Sequence, residues 1–275
     1  MTMKGIGSQR KTAELNGLNF SYLDWGAENS PPIIMLHGLQ SHARSWDVFA
    51  NALQDEYRIL AMDQRGHGDT DWPDPPFYTS DLFANDVLAL ARHLGINRFT
   101  LVGLSMGAHN ALAFTVKHPE FVDKLVSVDV PASLNSLYDP KVRDRLVNVQ
   151  REFASLDEMV EDARDTYPFA SDEMIRHRME HNAYQLSSGR LTLKYSPDAP
   201  RRWNPDDLSE DIGLIQCPTL IVRGGESDVL SADEAQAMAD AIPNSQLATI
   251  PGAGHSVPMD KPAEFEAVVR AFLAN

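Results

Sequence analysis

Ser105 is the residue of this chain best placed for covalent chemistry. It lies in Gly103-Leu104-Ser105-Met106-Gly107, after the apolar run Phe99-Thr100-Leu101-Val102 and before a helical pattern carrying Met106, Ala111, Leu112 and Phe114. A sharp strand-to-helix turn strains its central residue, and the flanking backbone closes only where the neighbours lack side chains. Such a turn holds a hydroxyl above the end of a sheet, at the positive end of the next helix. An unassisted serine hydroxyl is a poor nucleophile and needs a base within hydrogen-bond reach. As a bare pattern Gly-x-Ser-x-Gly is weak, and it gains weight from the strand before it and the helix after it.

The elements that must position this serine follow a rhythm. Two strand-like runs, 11–15 and 18–25, join at Asn16-Gly17, a strong short hairpin signal. The continuous apolar run at 33–36 reads as a strand buried on both faces, 58–62 as another buried strand, and further strands are expected at 99–104, 125–128, 219–222 and 247–250. Helical spacing lies between them at 43–53, 79–94, 106–118, 232–241 and 262–273. Strand alternating with helix implies right-handed crossovers, hence an α/β fold with a mostly parallel eight-stranded sheet and helices on both faces. The rhythm stops between Pro131 and Ile212, where charge and helical spacing dominate, with helices predicted at 140–153, 156–166 and 171–186. This divides the chain into a core, 1–131 and 213–275, and an inserted helical cap, 132–212, after the sixth strand.

Chemistry in open parallel sheets gathers at the carboxyl ends of the strands. Those ends carry His37-Gly38-Leu39, Ser105, Asp129, Gly224-Gly225-Glu226-Ser227-Asp228 and Gly252-Ala253-Gly254-His255. Here a hydroxyl, carboxylates and a histidine converge on one edge. His255, in a glycine-rich loop, is the candidate base and later the acid for the leaving group. A buried carboxylate must fix its tautomer and stabilise the imidazolium, and Asp228 is assigned that role, with Asp129 as the alternative. Developing charge on a carbonyl oxygen needs preorganised donors, for which the backbone N–H groups of Leu39 and Met106 form the expected pair.

Composition bounds the partners. The chain has 275 residues, 43% hydrophobic and 23% charged, which is ordinary for a folded globular protein and unlike a disordered one. A formal net charge of −15 argues against nucleic acid or an anionic membrane as the main partner. A small-molecule acyl substrate is expected instead, with oligomeric state left open. The single cysteine, Cys217, excludes an internal disulfide and reads as a packed thiol. Met1 to Lys11 lacks the apolar core of a signal peptide, and no apolar run approaches the roughly 20 residues that span a bilayer. A cytoplasmic protein is therefore expected. No His-x-x-x-His or Glu-x-x-His spacing falls at the strand ends, and no glycine pattern spells a P-loop or a dinucleotide fingerprint. Neither a metal nor a cofactor is expected.

Together, Gly103, Ser105 and Gly107, His37-Gly38, Asp63-Gln64-Arg65-Gly66-His67-Gly68 and Gly254-His255 make the chain resemble the α/β-hydrolase fold superfamily over nearly its whole length apart from the cap. The resemblance implies a Ser105, Asp228, His255 triad in the family's chain order. Some members place the acid after the sixth strand, at Asp129, but the more frequent position matches Asp228. It also implies that His37 and His67 are structural loop residues. His42, His109, His118, His177 and His181 are expected to be exposed or to line the cap. Arg143, Arg145, Arg176 and Arg178 alternate with acids at helical spacing and read as salt-bridged solvent faces. Met106, Met159, Met174, Met179 and Phe169 line an apolar acyl pocket or belong to the core.

The reaction expected is acyl transfer, namely hydrolysis of small carboxylic esters through an acyl-enzyme. Lactone, amide or carbon–carbon bond hydrolysis and cofactor-free perhydrolysis use the same triad. Epoxide hydrolases and haloalkane dehalogenases of this fold use an aspartate nucleophile, which Ser105 argues against. Carbon–carbon bond hydrolases often carry tryptophan directly after the catalytic histidine, where Ser256 stands here. The alternative from another class is a ligand-binding receptor on a hydrolase fold.

Overall fold

The computed structural model describes residues 7–134 and 151–275. The chain opens with an antiparallel hairpin of β1 (Gln9–Leu15) and β2 (Leu18–Trp25), closed by Asn16 and Gly17 at φ of 51° and 78°. Next come β3 (Pro32–Leu36), α1 (Asp47–Leu53), β4 (Arg58–Met62), a two-residue β5 (Tyr78–Thr79), α2 (Ser80–His93), β6 (Phe99–Leu104), α3 (Met106–Lys117) and β7 (Val122–Val128). The described part of the inserted segment carries α4 (Leu156–Thr166), α5 (Asp172–Asn182), β8 (Ala183–Gln185), β9 (Leu191–Leu193), α6 (Asp198–Arg202) and β10 (Trp203–Asn204). The chain closes with β11 (Thr219–Gly224), α7 (Ala232–Ala241), β12 (Ser245–Ile250), α8 (Val257–Asp260) and α9 (Pro262–Leu273).

Eight strands form one sheet in the order β1-β2-β4-β3-β6-β7-β11-β12. β2 runs against both its neighbours, and the remaining pairs are parallel. Successive side chains of a strand point to opposite faces, so the central strands feed two apolar layers. Ile34, Leu36, Leu60 and Leu101 pack with Val87 of α2 and Leu112 of α3. Ile33, Met35, Val102 and Val126 pack with Phe49 of α1 and Phe265 and Val269 of α9. This two-sided burial explains the unbroken apolar runs of the central strands.

The inserted segment, expected to be mostly helical, also carries short strands. The helix predicted to run to Leu186 stops at Asn182, and the chain turns into the β8–β9 hairpin. Gly189, at φ 83°, lies in the connection Ser187-Ser188-Gly189-Arg190, whose turn residues hold the signal that helical spacing obscured. Most of the helix predicted at 140–153, with Arg143 and Arg145, lies outside the described residues. Of its end, Phe153 is bridged to Leu191 in extended pairing. β10 pairs with β5 and ties the segment back to the core. Among the described residues no helix is long and apolar enough to cross a membrane.

Candidate active site

Ser105 occupies the turn between β6 and α3 at φ 55°, ψ −122°, a conformation that L-residues rarely adopt. Its N–H donates to the Val128 carbonyl at 2.9 Å, and its carbonyl accepts from the His109 N–H. The two glycines of the pattern meet a packing requirement. A Cβ on Gly103 would stand 2.3 Å from the Gly107 carbonyl oxygen, and one on Gly107 would stand 2.2 Å from that of Leu36. Gly107→Ala therefore forces α3 away from β3 and is expected to cost about 3 kcal/mol. A denaturant midpoint close to that of the unmodified chain would contradict it.

His255 reaches Ser105 from the loop after β12. Its Nε2 lies 2.9 Å from Ser105 Oγ and its Nδ1 lies 2.7 Å from Asp129 Oδ2. With Nδ1 protonated toward the carboxylate, Nε2 accepts the serine hydroxyl. The Asp129 side chain is fully buried, whereas the His255 side chain is 31% exposed. Two further donors hold Asp129: the Gly224 N–H to Oδ1 at 2.9 Å and the Ser227 hydroxyl to Oδ2 at 2.5 Å. Such a carboxylate is fixed in one orientation, as a buried charge must be.

The carboxylate assigned from the sequence is displaced. Asp228 is exposed and is not hydrogen-bonded to His255. After β11 the chain turns tightly, with Gly225 N–H donating to Ile250, Glu226 N–H to Ala253 and Ser227 N–H to Gly224. The turn aims Ser227 inward and leaves Asp228 on the rim. Asp129 instead ends a buried strand and has φ 52°. Its signal lay in its neighbours: Leu125-Val126-Ser127-Val128 precede it, whereas Asp228 stands in the polar stretch Glu226-Ser227-Asp228. Sequence reasoning also missed Ser227 and the Gly224 N–H as the supports of this acid.

Gly38, Leu39, Gln40 and Ser41 form the wall beside Ser105, and Gln40 is a third non-glycine residue of the site at positive φ, 60°. Met106 begins α3, so its N–H has no partner within the helix. The Met106 side chain turns away into a cluster with Tyr78, Phe83 and Ala199. His37 and His67 are fully buried. His37 Nδ1 donates to the Gly38 carbonyl and Nε2 accepts from the Gln64 N–H, while His67 Nδ1 donates to the Arg65 carbonyl. Burial lowers their pKa values to about 4 and about 3, so both rings are neutral at neutral pH and serve the loops. His42, His109 and His177, expected exposed or lining the cap, are buried, with His109 Nε2 donating to the Asp206 carbonyl.

A cleft of about 470 Å³ opens over Ser105 and His255. Its far wall comes from the inserted segment, through Asp165 to Phe169 and Arg178. Phe169 seats on the His255 loop: a Cβ on Gly254 would stand 2.6 Å from its ring. Asp260 lies in the same cleft and accepts from the Gly254 N–H at 2.9 Å; burial raises its carboxyl pKa to about 6. Met159 and Met179 pack in the segment's own core instead.

The arginines divide. Arg176 is half-exposed and paired with Asp157, as expected. Arg178 is 8% exposed and has no carboxylate within ion-pair distance among the described residues. Its guanidinium donates to Ser41 Oγ at 2.8 Å and stacks 4.9 Å from the Tyr167 ring, and among the described residues its Nε has no hydrogen-bond partner.

Residues 31–262 match the family model described as alpha/beta hydrolase fold. The chain belongs to the α/β-hydrolase family. Relatives of known name include an esterase of Mycobacterium tuberculosis, 29% identical over 92% of this chain and 86% of that protein. The 2-(acetamidomethylene)succinate hydrolase of Mesorhizobium japonicum is 27% identical over 83% of each chain. A crystal structure of E-2-(acetamidomethylene)succinate hydrolase superimposes with a TM-score of 0.89 and 25% identity, covering 98% of this α/β-hydrolase and all of that chain.

Proposed function

We propose that this α/β-hydrolase is a serine hydrolase of small carboxylic esters that works through an acyl-enzyme. The observation that carries the reading is the unbroken relay from Ser105 Oγ to His255 Nε2 and from His255 Nδ1 to Asp129. Ser105 Oγ attacks the ester carbonyl carbon while its proton passes to Nε2, and the buried Asp129 stabilises the imidazolium that results. The carbonyl oxygen gains negative charge and accepts from the Leu39 and Met106 N–H groups, with the N-terminus of α3 adding its dipole. Nε2 then returns the proton to the leaving alcohol. A water deprotonated at the same nitrogen attacks the acyl-enzyme and releases the acid, with its proton returned to Ser105. None of these steps calls on a metal or cofactor. Residues 132–212 act as the cap over a core of 1–131 and 213–275, and the expected setting is the cytoplasm.

Arg178 narrows the substrate to esters that carry a carboxylate. A desolvated cation with no counter-ion among the described residues is costly, and an anionic group entering the cleft would relieve that cost. Asp165, Glu226 and Asp228 are exposed, so solvent weakens their repulsion of such a group, whereas the buried Asp260, with its carboxyl pKa raised to about 6, opposes it increasingly as pH rises past that value. The relative named for a succinate derivative supports the same reading. Arg178→Gln is expected to raise KM for monomethyl succinate roughly 10- to 100-fold, the range of a hydrogen bond to a charged group, and to leave methyl butyrate nearly unchanged. Equal losses on both esters would remove this role. Amide, lactone and carbon–carbon substrates tested beside the esters decide among reactions that share the triad. Ligand-dependent partner binding without turnover would favour the receptor alternative.

A further inference from the structure

Outside the cleft, one cluster of side chains has the composition of a metal site. His177 and His181 stand one turn apart on α5, with ring centroids 4.7 Å apart. Asp47, at the start of α1, faces them from the core, and its Oδ2 lies 3.1 Å from His177 Nε2. One donor atom from each of the three residues lies within 4.8 Å of the others. We propose that Asp47, His177 and His181 bind a divalent cation of the zinc class where the inserted segment meets the core.

Three observations lead there. First, Asp47 is fully buried and, among the described residues, its Oδ1 has no hydrogen-bond partner, an unusual state for a carboxylate oxygen and one that a cation held by both carboxylate oxygens would relieve. Second, two imidazoles and one carboxylate suit zinc and its transition-metal neighbours, whereas calcium and magnesium prefer all-oxygen shells. Three protein ligands leave the fourth tetrahedral position to water. Third, the spacing is close to what coordination needs. Bonds of about 2.0–2.1 Å place tetrahedral donors roughly 3.4 Å apart. The Asp47–His177 separation already satisfies this, and a rotation of the partly exposed His181 ring closes the remainder.

The other groups that face the cluster set the conditions of binding. Arg44 donates to Asp47 Oδ2 at 3.2 Å and competes for the carboxylate, but its side chain is 21% exposed and can turn into solvent. The His177 Nε2 also lies 3.4 Å from the Arg44 carbonyl oxygen. His42 stands edge-on to His181 at 6.4 Å between ring centroids, with its Nε2 engaged by the Arg178 carbonyl. The bound ion would therefore join α5 to α1, one residue from the Arg178 that lines the cleft. This inference does not depend on the chemistry assigned to Ser105.

The test titrates zinc chloride, and separately cobalt(II), into chelator-stripped full-length protein, followed by calorimetry, thermal melting and the visible spectrum of cobalt. One ion per chain, a raised Tm and cobalt bands of a low-coordinate nitrogen and oxygen site are expected. His181→Gln changes a partly exposed side chain, and the melting curve of the metal-free variant checks that the fold is kept. It should weaken binding by more than the roughly 10- to 100-fold that loss of an outer hydrogen-bond partner costs. His177→Gln should do the same, Arg44→Gln should tighten binding, and His255→Gln should leave it unchanged. The proposal fails if the stripped chain takes up neither ion stoichiometrically. It also fails if His181→Gln binds as tightly as the unmodified chain, or if the site is lost in His255→Gln.

Discussion

Ser105→Ala is expected to abolish turnover, with a loss on the order of 10⁶ in kcat, because the relay acts as a unit and cannot share its work when the nucleophile is gone. Some acceleration should survive, roughly 10³–10⁴ over water, from the Leu39 and Met106 donors and from binding in the cleft. The substitution removes one oxygen and keeps the Cβ that faces Gly38, so the fold has no reason to change. The check pairs single-turnover kinetics on a short nitrophenyl ester with labelling by a fluorophosphonate. A variant that still hydrolyses the ester at an unmodified rate and still takes up the label would end the proposal of a serine mechanism.

Asp129→Asn is expected to lower kcat by about 10⁴, whereas Asp228→Asn should stay within a few-fold of the unmodified enzyme. The Asp129 oxygens have three donors directed at them: the Gly224 N–H, the Ser227 hydroxyl and His255 Nδ1. An amide in that place can present only one acceptor oxygen, and its NH₂ group must face a donor. The imidazole then favours the tautomer with its proton on Nε2, and Ser105 loses its acceptor. Asp228 is exposed, so its neutralisation alters only the rim charge. Steady-state kinetics of the two variants, with matched melting curves, separates the assignments. A large loss confined to Asp228→Asn would return the acid to the loop after β11.

The contrast between those two aspartates marks where sequence reasoning was sufficient. The order of strands and helices was legible because burial on both faces writes continuous apolar runs, and Asn16-Gly17 states its own turn. Ser105 and His255 were legible because their turns require small neighbours, so the glycines around them carry the signal. The choice of acid was not, since two carboxylates end neighbouring strands, β7 and β11, and a single turn decides which one points inward. Helical spacing placed Arg178 beside Arg176, yet one is buried in the cleft and the other is paired in solvent. Periodicity gives the face of a helix but not what covers it. The same limit hid Asp47, because its partners, His177 and His181, lie some 130 residues away in another element.

Gln40, Ser105 and Asp129 share positive φ, and all three stand at the catalytic edge of the sheet. Residues held there cost on the order of 1–3 kcal/mol each, least for aspartate, and glycine would relieve them. A laboratory selection for heat resistance alone would therefore favour glycine at these positions, and two of the three replacements would delete the proposed nucleophile and its proposed acid. Thermal screening of libraries of this enzyme has to be coupled to turnover, or it will enrich for robust and inert chains.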